Sequence, residues 1–277
     1  MLKMNKVPLI FIILNLTVIH SFGFRRQKEY CSLMAKCHLE YSKETCPDSL
    51  ITGAKKVKYT PEKCTELKDL ITNGIDPNDP TGHLLIGFMG QRYRVDYQIK
   101  DSLSIDQKSF EYLLDNIPLA ANVVNTFQET EYWAEYLDGD RKKYWKGNNG
   151  GNLSGEAELI GGGIPTKNLT YFGFGVVKVM RWKLRGRVLF SYKYYISPSH
   201  KINYHLHVIV FPGGSFVNAI MNMGLFKRVV RNKIKDVFMD ITHSAEDLKK
   251  TSYEDILKKR KWTDKEKEWL KELKSFK

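Results

Sequence analysis

Apolar positions recur along this chain with two different periods, and the change from one to the other falls at Pro212-Gly213-Gly214. Before the break, in the run from Asn203 to Phe211, Tyr204, Leu206, Val208 and Val210 share one face by the two-residue period of a strand. After it the period lengthens: Val217, Ile220, Met221, Gly224, Leu225, Val229, Ile234, Val237, Phe238 and Ile241 fall on one stripe. This predicts a single long helix that must bury its stripe, and the strand-rich segment before it supplies the surface. A long C-terminal helix gripped by a curved antiparallel sheet is an α+β arrangement that can enclose a cavity.

The remainder of the chain fits around this pair. In QRYRVDYQI, Tyr93, Val95, Tyr97 and Ile99 alternate with Arg94, Asp96 and Gln98, a half-buried strand that pairs with HLLIGFM across a break near Gly90. Phe110, Leu113, Leu114 and Ile117 line one short helix, Pro118 interrupts it, and Ala121, Val124 and Phe127 continue in a second. From Thr130 to Phe211 the chain reads mostly as strands, with Asp138-Gly139-Asp140 as a hairpin signal. Towards the N-terminus, residues 27 to 43 carry Tyr30, Met34, Cys37 and Tyr41 at helical spacing, and Thr60-Pro61 starts a second helix that Asn73-Gly74 closes. The turn-rich Asn73 to Gly82 marks the end of this small segment, 24 to 74, and the beginning of the main domain, 83 to 241. In the charged tail, 249 to 277, Trp262, Trp269, Leu270 and Leu273 share a helix face, and Thr263 with Glu266 forms a capping box. That helix either rests on an anionic membrane surface or packs on the domain with a solvated Lys/Glu face, which is the reading preferred.

Charge and cysteine usage locate the chain. Lys3 and Lys6, the mostly apolar Val7 to Val18, and Ser21 and Gly23 have the form of a signal peptide over residues 1 to 23. Export, periplasmic or extracellular, is the expected localisation. Removing that leader takes two positive charges from a formal +13 and leaves +11. So basic a surface attracts anionic membranes or polymers, and export makes nucleic acid an unexpected partner. Cys31, Cys37, Cys46 and Cys64, spaced 6, 9 and 18 apart, read in an oxidising compartment as two disulfides with three possible pairings, since close Cys pairs of common zinc folds are absent.

Candidates for chemistry are few. His205 and His207 point the same way on a strand and could share a metal if a third ligand joined them. Glu156 and Glu158 also share a face, as carboxylates dividing acid and base roles would, and as solvated residues do. Nucleophile-elbow, phosphate-loop and dinucleotide signatures are absent. The basic residues Lys227, Arg228 and Arg231 on the helix, with Arg181 and Arg185 in the strands, are candidates for binding anions. Asn152-Leu153-Ser154 and Asn168-Leu169-Thr170 match the glycan acceptor pattern.

The order of elements, with two short helices broken at Pro118, antiparallel strands, the Pro212-Gly213-Gly214 break and one long helix, resembles the helix-grip domains of the START-like, polyketide-cyclase-like superfamily over Leu84 to Ile241. The resemblance implies a cavity between helix and sheet that holds a lipid or another apolar molecule, with no cofactor. Ile220, Met221, Gly224, Leu225 and Val229 would line it from the helix, and Tyr194 and Leu206 from the sheet. A basic surface-interaction module with a solid core is the alternative, and an enzyme acting on a hydrophobic substrate the third reading.

Overall fold

The computed structural model describes residues 27–41, 43, 46–52, 60–91, 93–179, 182–198 and 201–276. These form two compact units, one ending at Arg92 and one beginning at Tyr93. The expected leader, residues 1 to 23, lies outside the described residues.

The first unit is helical and disulfide-linked. Helix α1, residues 27–36, stops short of its predicted end because His38 turns left-handed (φ 53°), and the Leu39 and His38 amides donate back to the Met34 and Ala35 carbonyls. Two further helices follow, α2 (Asp48–Thr52) and α3 (Pro61–Thr72); Thr60 caps α3, its side chain accepting from the Lys63 amide. The predicted strand HLLIGFM is instead helix α4 (Pro80–Met89). Asp79 accepts from the Thr81 and Gly82 amides, Pro80 occupies the first turn, and Leu85, Ile86 and Met89 share the buried side. The unit therefore extends past the turn-rich segment to Arg92. Cys31 bonds to Cys46 and Cys37 to Cys64, so the two bridges interleave. Tyr30 is buried, lies against His83 with the rings tilted and their centroids 3.8 Å apart, and donates to the Pro77 carbonyl.

The second unit is the predicted helix-grip arrangement. Strands β1 (Val95–Leu103), β2 (Tyr132–Tyr136), β3 (Tyr144–Asn149), β4 (Leu153–Gly163), β5 (Asn168–Val179), β6 (Trp182–Ile196) and β7 (Ile202–Pro212) form one antiparallel sheet in the order β1-β7-β6-β5-β4-β3-β2. Between β1 and β2 come the two short helices, α5 (Gln107–Asp115) and α6 (Ile117–Phe127). The concave side of the sheet carries Phe190, Tyr192 and Tyr204, which stack on Phe238 of the long helix.

One row of that concave face is nearly devoid of side chains. Ala134, Gly147, Gly155, Gly175, Gly186 and Pro212 stand directly opposite one another across six strands, from β2 to β7. Gly173 adjoins the row. A β carbon there would lie 1.9 Å from the Glu156 carbonyl oxygen, and one at Gly155 would lie 2.6 Å from that of Phe174. The strands thus close on one another more tightly than a Cβ permits, which is how the sheet curls.

The predicted single helix is two. Helix α7 (Ser215–Asn222) ends at Met223, whose extended backbone (ψ 133°) restarts the chain as α8 (Gly224–Lys250), well past the expected end at Ile241. The interruption changes the phase of the stripe: Phe226, Val230, Ala245 and Leu248 are buried, whereas Gly224 and Leu225 are exposed.

The tail belongs to this unit. Helices α9 (Tyr253–Lys259) and α10 (Asp264–Ser275) bury Ile256, Trp262, Leu270 and Leu273. Arg260 and Glu266 both hydrogen-bond the Asn122 side chain on α6, and Tyr112 on α5 donates to Glu272 at 2.7 Å. The apolar face that a membrane-surface helix would need is spent on packing, while the capping box of Thr263 and Glu266 forms as expected. Among the described residues no helix is long and apolar enough to cross a membrane.

Candidate functional site

The two halves of the concave face differ in how completely they are covered. On the β1–β7 half, Val95, Tyr97, Ile99, Leu206 and Val208 are buried. Over β3 to β6 burial on the same side is mixed: Leu169, Tyr171, Val177, Val179, Leu184 and Tyr192 are buried, while Trp145, Leu153, Ala157, Leu159, Val188 and Phe190 are half-buried. Facing them, Val229, Ile234, Phe238 and Ile241 of α8 and Ile220 of α7 are half-buried too. These half-buried side chains pack against the buried core, and none of them is ionisable. On one side this set is bounded by the Phe238 stack on Tyr192 and Tyr204, both 5.4 Å between ring centroids. On the β2 side, Tyr132 donates to Asp240 of α8 at 2.7 Å, and Asn125 of α6 holds Tyr132 by both its amide and its carbonyl.

The predicted lining residues are divided by this geometry. Ile220 and Val229 lie on the inner side, and Met221 is buried. Gly224 and Leu225 point to solvent, Leu225 with 73% of its surface exposed, a consequence of the break at Met223. Tyr194 on β6 and Leu206 on β7 are both buried, and the Tyr194 hydroxyl donates to Glu111 at 2.9 Å and to the Ile164 carbonyl. Two open depressions lie elsewhere and contain none of the predicted lining residues. One, about 520 Å³, is lined by residues 125–131, the last turn of α6 and the loop after it; the other, about 530 Å³, by Lys100, Asp101, Ser102, Tyr195, Asn203, Tyr204 and His205.

The convex face holds the candidate ligands and charges. His205 sits opposite Lys100 and Lys193, and burial together with those positive neighbours holds its pKa below the ordinary value. His207 instead contacts Asp96 at 3.2 Å, and no group of potential metal ligands among the described residues contains both histidines. Glu156 stands opposite Lys146 and beside Tyr144, whose hydroxyl is pushed up chiefly by burial and by that carboxylate. Of the anion-binding candidates, Arg185, Arg228 and Arg231 are exposed, Lys227 is half-buried, and Arg181 lies outside the described residues. Asn168 and Thr170 are buried in β5, so only Asn152 of the two acceptor patterns is accessible.

Sequence reading missed Trp145, Ala157, Leu159 and Phe190. A signal for them exists in the register-matched glycines, which mark the strand faces turned inward, but register is invisible before the strands are paired.

No protein-family model matches the chain, and no curated protein matches it. Solved structures that resemble it include Ara h 8.0201 (12% identity, TM-score 0.39, 54% of this chain and 96% of that one). Others are the major latex-like protein 151 of Panax ginseng (11% identity, TM-score 0.39, 56% and 96%) and an uncharacterised protein from Rhizobium leguminosarum (12% identity, TM-score 0.31, 55% and 93%). Likeness at this level carries no argument; the helix-grip assignment rests on the strand order and on the helix seated in the concave face.

Proposed function

We propose that this chain is a binding protein for an apolar ligand such as a lipid, held in the groove between α8 and the β3–β6 half of the sheet. The observation that supports this most directly is the set of half-buried inward side chains, Trp145, Leu153, Ala157, Leu159, Val188 and Phe190, facing half-buried Val229, Ile234 and Phe238 of α8, whereas Val95, Tyr97, Ile99, Leu206 and Val208 on β1 and β7 are sealed. Binding sites are concave and mostly apolar. The glycine row adds to the reading, because it withdraws side-chain bulk from the floor of the groove. An apolar ligand would complete the burial that Trp145, Leu159, Phe190 and Ile234 lack.

The test is native mass spectrometry of the purified protein with organic extraction of whatever accompanies it, followed by uptake from a lipid extract. A stoichiometric apolar molecule is expected. Ala157→Phe, which fills the groove, and Ile234→Gln, which makes its wall polar, should each weaken uptake by about tenfold or more while the thermal midpoint stays near that of the parent. A clean apo mass with no uptake from the extract would overturn the proposal.

A further inference from the structure

Large apolar side chains are exposed at one corner of the second unit. Phe216 (64% exposed) and Met223 (60%) lie seven residues apart and so share one side of α7, with exposed Ala219 between them. Leu225, the most exposed at 73%, follows at the start of α8, and Trp182 (41%) brings its ring to 6.2 Å from that of Phe216. The opposite side of α7, with Val217, Ile220 and Met221, turns inward. This short helix is therefore apolar on two sides, and only one is covered.

The charges around this corner are all of one sign. From Leu159 to Lys235 the sequence contains 13 Lys or Arg and not one Asp or Glu. Lys178 and Lys183 face each other across the β5–β6 pair beside Trp182, and Arg185 lies two residues along; all three project from the convex side of this sheet end, whereas Trp182 projects from the concave side. Beyond Leu225 come Lys227 and Arg228. None of these five cations has an ion-pair partner among the described residues. Like charges opposed across strands repel, and an external anionic surface removes that cost.

We infer that this corner docks on an anionic lipid bilayer, with Trp182, Phe216, Met223 and Leu225 entering the interfacial layer and the flanking cations meeting the headgroups. Exposed apolar side chains rimmed by Lys and Arg, with a Trp among them, are the composition of an interfacial anchor. A protein partner of neutral apolar surface would leave the five cations unanswered. Docking of this kind is independent of what the groove holds.

Co-sedimentation of the full chain with vesicles of phosphatidylcholine, alone or mixed with phosphatidylglycerol, tests it. Binding to the mixed vesicles is expected to be at least about tenfold stronger and to fall with added salt. The exposed pair Phe216→Asp with Met223→Asp should abolish binding, and Lys183→Glu with Arg185→Glu should remove the preference for anionic lipid, both with an unchanged thermal midpoint. Equal partitioning onto both vesicle types would overturn the inference. So would sedimentation velocity in which the Phe216 and Met223 changes dissolve a dimer while vesicle binding stays as it was, since the patch would then be covered by a second copy.

Discussion

Asp96 on β1 accepts hydrogen bonds from Arg94 and from His207 on the neighbouring β7. Burial alone would raise its pKa; the hydrogen bonds from His207 and Arg94 and the guanidinium charge outweigh that and hold the carboxyl well below its ordinary value. A carboxylate depressed in the folded state stabilises the fold fully above its unfolded pKa, about 3.9, and loses that contribution as pH falls towards the folded value. Asp96→Asn should therefore lower the urea midpoint at pH 7 and narrow the difference between parent and variant at pH 3, as read by denaturation at the two pH values. Tyr192 makes the opposite case. It is 1% exposed, its hydroxyl has no partner among the described residues, and burial pushes its pKa up. Tyr192→Phe keeps the stack on Phe238 and removes an unpaired buried polar atom, so calorimetry should record a gain of about 1 kcal/mol. At this scale the sequence was uninformative in a specific way: alternation placed Tyr194 and Leu206 correctly on the inner face, but whether such a residue meets solvent or core depends on which half of the sheet the helix covers.

Elements were more legible than their boundaries. Alternation in β1 and in the first half of β7, and the Thr263/Glu266 capping box, carry their own local physics and form as expected, whereas the break between α5 and α6 falls at Asn116, and Ile117 and Pro118 stand in the first turn of α6. The short apolar run of helix α4 has no period of its own and so resembles a strand, and Asp79-Pro80, which has the composition of a turn, is a helix start. The break at Met223 has no Pro, but Asn222 and Gly224, both poor helix formers, flank it, a local signal that the apolar stripe runs straight across. Curvature is the property of the sheet most exposed to a single change. Gly173→Ala places a methyl group against the Glu156 carbonyl, where backbone and not a flexible side chain would have to yield. A loss of about 3 kcal/mol is expected in equilibrium unfolding, the upper part of the overpacking range.

For the molecule as a whole, the main surprise is that the charged tail is structural. A high Lys content disguises it, because the four side chains that α9, α10 and their connection bury are scattered among eleven Lys or Arg residues. Each such burial contributes about 1.5–3 kcal/mol, and together they rival the net stability of an ordinary domain, about 5–15 kcal/mol. A chain ending at Thr251 should consequently lose its cooperative thermal transition and bind a hydrophobic dye, measured by calorimetry and by dye fluorescence. At the other end, the cysteines announced two bridges but not their pairing, since spacing alone leaves three choices open. The pairing adopted has a topological meaning. With Cys31 joined to Cys46 and Cys37 to Cys64, the two covalent rings overlap, and every peptide bond between Cys31 and Cys64 is spanned by at least one of them. A protease that cuts once anywhere in that interval produces two chain ends but a single molecule, and between Cys37 and Cys46 both bridges must be reduced before the pieces can part.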